Sequence, residues 1–464
     1  MILKCIMGVL MSLQNNMQAK NKWVLKKICL LSLAAFLLFS WTGSGFCSPL
    51  EQIRNAFDRD FNRMNPEKIK DRFVSIVEDI SGMKVKNQVG ISYRSRGDVK
   101  NELFLQDMKK WNLNNNKKMQ GYEYILKRFH LLASDTSFKD VYLKSYYDHL
   151  YGYYDPSKKS IILMEGIHKL VAENVLFHEI VHAAQDSAVD LIKYQEKHSS
   201  SFDATLAASA LLEGQASAVE LIARIERNLE GKAKNEILSD LLDRILAQLG
   251  RNPGSNNTDN QNMFESCMDF SYSYGLVFVL TRIVKEDADF SRMLEAIPIS
   301  TEQILHIQKY DAKEQPMKTV LEKSRDKISS IPGMTLLLDT SLGEYFIRQM
   351  FTNILQNDND TAKNAAAGWG GDRIFVLKSG EHLLFIWDTL WDSDKDADEF
   401  LRCYADYSKA RYNVENLPPD MIFDATLTTD DDKVLIKKNG NRILIMEGQI
   451  ITSTLKNILK SIGL

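Results

Sequence analysis

Residues 175–186 read Val175-Leu-Phe-His178-Glu179-Ile-Val-His182-Ala-Ala-Gln185-Asp186, and the rest of the chain is best understood outward from this stretch. Two histidines four positions apart lie about one turn apart on the same face of a helix, so both imidazoles reach a single metal ion. Glu179, next to the first histidine, then falls beside such an ion rather than on it. That is where a general base acting on a water molecule sits. The H-E-x-x-H pattern is short, and its flanks add to its weight. Val175, Leu176, Phe177, Ile180 and Val181 are all uncharged, as a buried active-site helix requires.

A catalytic metal site of this kind takes three protein ligands and keeps one position open. The third is expected downstream, in Ala210-Leu-Leu-Glu213-Gly214-Gln-Ala216-Ser-Ala-Val-Glu220. Glu213 is a carboxylate among small and apolar residues on a helix. Gly214 and Ala216 have little bulk, so two helices can approach closely enough to share an ion. Glu220, two turns along the same face, is the competing ligand. Asp186, four residues after His182, reads either as an acceptor that orients that imidazole or as an ion-pair partner at a helix end.

Outside this region the chain is ordinary in bulk. Its 464 residues, 44% hydrophobic and 26% charged, suit a globular protein of more than one domain with a sizeable core. The first 47 residues carry Lys4, Lys20, Lys22, Lys26 and Lys27, no acidic residue, and the apolar run Ile28 to Phe39. This is the layout of a signal peptide. The run is about 12 residues, short of the roughly 20 that a spanning helix needs, so no stable membrane span is expected after cleavage. Gly45 and Cys47 are suitably small for cleavage before Ser48, and lipidation of Cys47 is the minor alternative. Without the five leader lysines, 53 basic residues face 61 acidic ones, a formal charge of −8. Nucleic acid is therefore not an expected partner. Cys267 and Cys403 are the only cysteines left after the leader, so export does not bring a disulfide framework with it.

Along the chain, Phe57, Phe61, Ile69, Phe73, Ile76, Val77 and Ile80 recur at helical spacing, and Val89 to Tyr93 alternates like a short strand. Asp155-Pro156 marks a turn before the apolar run Ile161 to Met164. A strand so close upstream of the metal-binding helix reads either as an edge that pairs with an extended peptide or as an interior strand of the sheet. Helices are expected over about 204–229 and 264–285, with polar stretches at 111–118, 193–201 and 252–262. Near the C-terminus, Arg373–Leu377 and Leu383–Trp387 flank Ser379-Gly380, and Lys433–Lys437 and Arg442–Met446 flank Asn439-Gly440. Both are hairpin signals, with an amphipathic helix, Asp394 to Tyr407, between them.

His178-Glu-Ile-Val-His-Ala-Ala-Gln-Asp186 followed by Leu212-Glu213-Gly214-Gln-Ala216 resembles the signatures of a bacterial and archaeal group of zinc metallopeptidases of the gluzincin class. The likeness runs from about residue 140 to 410 through Tyr151-Gly-Tyr-Tyr-Asp155, Tyr274-Gly275, Pro298-Ile-Ser-Thr-Glu-Gln-Ile-Leu-His306, Gly368-Trp-Gly-Gly-Asp-Arg373 and Trp391-Asp392. Ala184 and Ile307 depart from it, where the group has Leu and Pro. The resemblance implies a zincin-like catalytic domain that binds Zn2+ through His178, His182 and Glu213, with Glu179 as base. Tyr274 and His306, in shared stretches and able to donate hydrogen bonds, are its candidate stabilisers of an oxyanion.

The expected fold is therefore α+β: a mostly helical zincin-like domain with a short sheet, and a small C-terminal α+β domain. The expected segments are a signal peptide (1–47), a helical region (48–139), the catalytic domain (140–330) and the C-terminal domain (331–464). The expected function is that of an exported, periplasmic or secreted, zinc metallopeptidase acting on a peptide or protein. The rival is a non-catalytic exported binding or assembly protein on the same scaffold, against which the intact Glu179 argues.

Overall fold

The computed structural model describes residues 66–464 apart from 87, 101, 104–116, 148–149, 227–232, 251–262, 355–358, 413–423, 429–432, 450–457, 459, 461–462 and 464. The segment 1–47 read as a signal peptide, Phe57, Phe61, most of the polar stretch 111–118 and all of 252–262 lie outside the described residues. The architecture is α+β with two sheets. Chain contacts divide it into two units, Met1–Arg72 with Glu226–Arg251, and Phe73–Ile225 with Asn252–Leu464. In the first unit the helix Ala233–Gly250 carries the buried residues Leu238, Leu241 and Leu242. Both sheets belong to the second unit.

Helix α1 (Pro66–Ser81) enters this second unit at Phe73, which with Val77 is buried, as the helical spacing predicts. The Phe73 ring meets Phe177 edge-on at 5.3 Å. Strand β1 (Gly90–Arg94) follows, then helices α2 (Lys117–Arg128) and α3 (Phe138–Tyr147), and the hairpin of β2 (Gly152–Asp155) and β3 (Ser160–Met164). The first sheet has the order β1-β3-β2. The apolar run Ile161–Met164 is thus the central strand, parallel to β1, and β2 is an edge. Met164 N–H donates to Tyr151 O at 2.9 Å. Since bonded and non-bonded pairs alternate along an antiparallel ladder, Tyr153 and Ile162 form a bonded pair, and the N–H and C=O groups of Gly152 and Tyr154 face outward.

Helix α4 (Lys169–Val189) carries the motif. The His168 side chain accepts from Leu170 N at its start, and the left-handed Asp190 stops it, its N–H bonding Asp186 O. Asp190 then caps a helix at Leu191–His198, overlapping the stretch 193–201 read as polar; that helix buries only Leu191 and Tyr194, too few for a periodic signal. Helix α5 (Phe202–Glu226) is long and apolar enough to cross a membrane, yet 89% of its apolar window is buried inside this molecule. Its alanines and leucines are core. The single helix expected over 264–285 is three pieces: Met263–Asp269, a π-helical turn Phe270–Tyr274, and α6 (Gly275–Glu286).

The second sheet is antiparallel, in the order β4-β5-β6-β9-β8-β7. Strand β4 (Thr335–Thr340) precedes helices α7 (Gly343–Ile354) and α8 (Asn359–Ala366). The hairpin of β5 (Trp369–Ser379) and β6 (His382–Trp391) is longer than its sequence signal, and helix α9 (Asp394–Tyr412) and strands β7 (Asp424–Thr428), β8 (Lys433–Asn439) and β9 (Arg442–Gly448) complete it. Gly380 and Gly440 take the positive φ that two-residue hairpin turns demand. One face packs against α7, α8 and α9, and also against α2 and α3, through Ile125, Leu126, Phe129 and Phe138. Trp369 and Trp391 are fully buried here. The carboxylate of Asp372 holds the turn before α7: it accepts from Ser341 Oγ (2.8 Å), Leu342 N (3.0 Å), Gly343 N (3.0 Å), Trp369 Nε1 (3.1 Å) and Trp387 Nε1 (3.0 Å).

Candidate metal centre

Helices α4 and α5 bring His178, His182 and Glu213 together. His178 Nε2 lies 3.1 Å and His182 Nε2 3.8 Å from Glu213 Oε2, and one ligand atom from each residue falls within 4.8 Å of the other two. Ligand atoms about 2.05 Å from a tetrahedral zinc ion stand roughly 3.3 Å apart. The two separations to Glu213 bracket that value, so the chemistry and spacing of this donor set suit a zinc ion.

Each imidazole has a polar partner on its far side, hydrogen-bonded in the case of His182. Gln185 Nε2 donates to Leu212 O and Gln215 Oε1, each at 3.0 Å, which turns its Oε1 towards His182 Nδ1 at 2.8 Å. His182 therefore donates from Nδ1 and turns Nε2 towards Glu213. Behind His178 stands the Glu220 carboxylate, whose Oε2 is 3.9 Å from Nδ1, at ion-pair distance, and which is paired with Arg224. Glu213 is thus on the Nε2 side and Glu220 on the Nδ1 side, the arrangement of a ligand and of a carboxylate that steers one. Burial disfavours charge on His178, but Glu213 and Glu220 outweigh it and raise its pKa to about 10. Burial likewise opposes a low pKa for Glu213, and the two imidazoles overcome it, holding the carboxyl well below its usual range.

The close packing of α5 follows from its glycine. A Cβ on Gly214 would sit 2.3 Å from the carbonyl carbon and oxygen of Gly275, and one on Gly275 would sit 2.1 Å from Ala210 O. Two backbones cross there in direct contact, one residue from Glu213. The π-helical turn before Gly275 is a rare element that recurs at functional sites. It carries Tyr272, whose ring lies 5.9 Å from that of His178.

Glu179 is 8% exposed, and its Oε2 accepts from the outward-facing N–H of Tyr154 at 2.9 Å. The Tyr154 hydroxyl donates to Asp186 Oδ2 at 2.8 Å, where Lys159 Nζ also binds (2.6 Å), and Leu191 N donates to Oδ1 (3.0 Å). Asp186 is thus an ion-pair partner near a helix end; the residue that orients His182 is Gln185. Tyr274 and His306 are joined through α7 instead. Tyr274 stacks on Phe270 at 5.3 Å beneath the Arg348 guanidinium, 5.8 Å away. One turn back from Arg348, Glu344 accepts from His306 Nε2 at 2.9 Å and raises the pKa of that imidazole. Positions two apart in a helical turn point more than about 150° apart. Tyr272 and Tyr274 accordingly face different neighbours, and of the two it is Tyr272 that meets a metal-ligand candidate. A further acidic group, Glu302, Glu314 and Asp392, surrounds Lys309, whose ammonium lies 2.8, 2.7 and 2.6 Å from them and supplies the cation they call for.

Sequence reasoning missed Tyr154, Gln185 and Tyr272. Gln185 had a signal, lying one turn beyond His182 on the same helix. The other two act through a strand edge and a π-helical turn that no periodicity announces. Residues 336–458, which hold most of the second sheet, match a family described as a domain of unknown function (DUF8575). No curated protein and no solved structure matches the chain.

Proposed function

We propose that the protein is an exported zinc metallopeptidase that hydrolyses peptide bonds. The observation that supports the reading is the convergence of His178 Nε2 and His182 Nε2 on Glu213 Oε2, at 3.1 and 3.8 Å, with Gln185 accepting behind His182 and the Glu220 carboxylate 3.9 Å behind His178. A bound zinc ion supplies a Lewis acid and lowers the pKa of water in its open position. His178, His182 and Glu213 would hold it. Glu179 accepts the proton from the attacking water and passes it to the leaving amine. The outward groups of Gly152 and the outward Tyr154 C=O offer an extended peptide an edge to pair with, beside the base. Tyr272, next to His178, joins Tyr274 and His306 as a candidate donor to the carbonyl oxygen. The basic, then apolar leader supports export, and peptide or protein is the substrate class.

The test is metal content and proteolysis of the wild type and of Glu179→Gln. The wild type should bind one zinc ion per chain and cleave an unfolded protein such as reduced casein; the variant should bind zinc equally and lose cleavage by at least about a thousandfold. Equal cleavage by the variant refutes the mechanism. Zinc bound without cleavage by the wild type points to the non-catalytic alternative.

A further inference from the structure

We propose that Tyr154 is a positioning residue for the Glu179 carboxylate, holding it from the strand edge while anchored two helical turns further along α4. This rests on the metallopeptidase reading for its chemical consequence. Glu179 and Asp186 are seven residues apart, about 10.5 Å along a helix and on one face of it. Tyr154 bonds both, through its backbone N–H to Glu179 Oε2 (2.9 Å) and its phenol to Asp186 Oδ2 (2.8 Å). The ring is buried, and the Asp186 end is secured by Lys159 and Leu191 N. The N–H comes from the one geometry that frees it: Tyr154 is a non-bonded position of an edge strand, so the amide owes nothing to β3.

For the reaction this fixes a carboxylate that otherwise turns about its side-chain bonds. With Oε2 engaged by the amide, Oε1 is left to take the proton, in an orientation set before any substrate arrives. A peptide pairing with β2 finds this N–H taken and bonds instead at Gly152 and at the Tyr154 carbonyl. Strand edge and base are thereby in fixed register, so the scissile bond is presented at a constant offset from Glu179.

The test compares amide exchange of the metal-free protein, by NMR or by fragment-resolved mass spectrometry, with kinetics of the zinc-loaded one. The amide of Tyr154 should exchange at least tenfold faster in Glu179→Ala and near the wild-type rate in Glu179→Gln, whose amide oxygen still accepts. Tyr153 N–H, which pairs with β3, is the reference: simple loosening of the hairpin speeds both amides, whereas loss of the grip speeds only that of Tyr154. In Tyr154→Phe, kcat on casein-derived peptides should fall about tenfold with KM and zinc affinity unchanged. Wild-type exchange at Tyr154 in Glu179→Ala, or an undiminished kcat in Tyr154→Phe, overturns the proposal. Should the wild type cleave no peptide, the metallopeptidase reading falls, and the exchange comparison alone decides whether Tyr154 holds Glu179.

Discussion

Replacing Gly214 by alanine adds one methyl group to the place where two backbones touch. That carbon would stand 2.3 Å from the C and O of Gly275, whereas ordinary contact begins at 3.4 Å. The helices must therefore part by about 1 Å, and neither obstructing atom belongs to a side chain that can swing away. Overpacking of this kind costs about 1–3 kcal/mol. The shift also acts on the adjacent Glu213, and metal–ligand distances tolerate only about 0.2 Å. The expected outcome is a coupled loss: lower stability of the metal-free protein in urea, and zinc affinity reduced at least about tenfold by competition titration. Gly97→Ala is the control, because a Cβ there would meet only Ser95 Oγ at 4.0 Å. If Gly214→Ala unfolds within about 0.5 kcal/mol of wild type and binds zinc within twofold, the crossing does not set the ligand geometry and the reasoning fails.

Gln185→Ala frees His182 Nδ1 from its acceptor and should weaken zinc binding about 10–100-fold with little change in circular dichroism; unchanged affinity would show that the Gln185 carbonyl does not orient the ligand. Asp372→Ala strips one acceptor from five donors and should cost at least about 3 kcal/mol in urea denaturation; a smaller loss would mean that water replaces it. Asp203 has a pKa raised to about 7, by burial first and then by the Asp372 and Glu344 carboxylates, against hydrogen bonds from Thr301. Because its folded value exceeds its unfolded one, its contribution to stability is full below about pH 3.9 and is lost as pH rises through 7. Stability measured at pH 5 and pH 8 should fall less in Asp203→Asn than in wild type, and an equal fall would assign the loss to other groups.

What could be read from the sequence was what is local. The spacing of His178 and His182 puts both imidazoles on one helix face wherever that helix lies, and Gly380 and Gly440 set their hairpins through their own positive φ angles. The apolar run Ile161–Met164 announced a strand but not its place in the sheet; order depends on β1, some 70 residues upstream. The run from Phe264 to Lys285 keeps helical spacing throughout, so nothing in it marks the π-helical turn that ends where Gly275 seats on Ala210. Glu213 and Glu220 share one face of α5, and only the arrival of α4 at a particular height puts one at Nε2 and the other at Nδ1 of His178. Asp186 satisfied the spacing rule for His182, yet Lys159 and Tyr154 compete for it from a hairpin whose approach no helical pattern encodes. Strand β4 reads Thr-Leu-Leu-Leu-Asp-Thr, without alternation, because both faces of the second sheet are covered, the second by Leu321, Ile328 and Ile458, which pack on Phe375, Leu377, Leu384 and Ile386.

That double cover bears on how the chain can be cut. The side chains Ile125, Leu126, Phe129 and Phe138 close one face of the second sheet from about two hundred residues upstream. A fragment spanning residues 336–458 leaves them behind, so it presents to water an apolar surface that the whole protein keeps dry. Expressed alone it should gather into oligomers or inclusion bodies, and regain solubility when residues 117–147 are supplied in trans. In the intact chain the same arrangement makes two segments far apart in sequence mutually dependent for folding: the sheet completes a surface that the helices within 117–147, which leave the ribosome earlier, have had to keep exposed since their own synthesis.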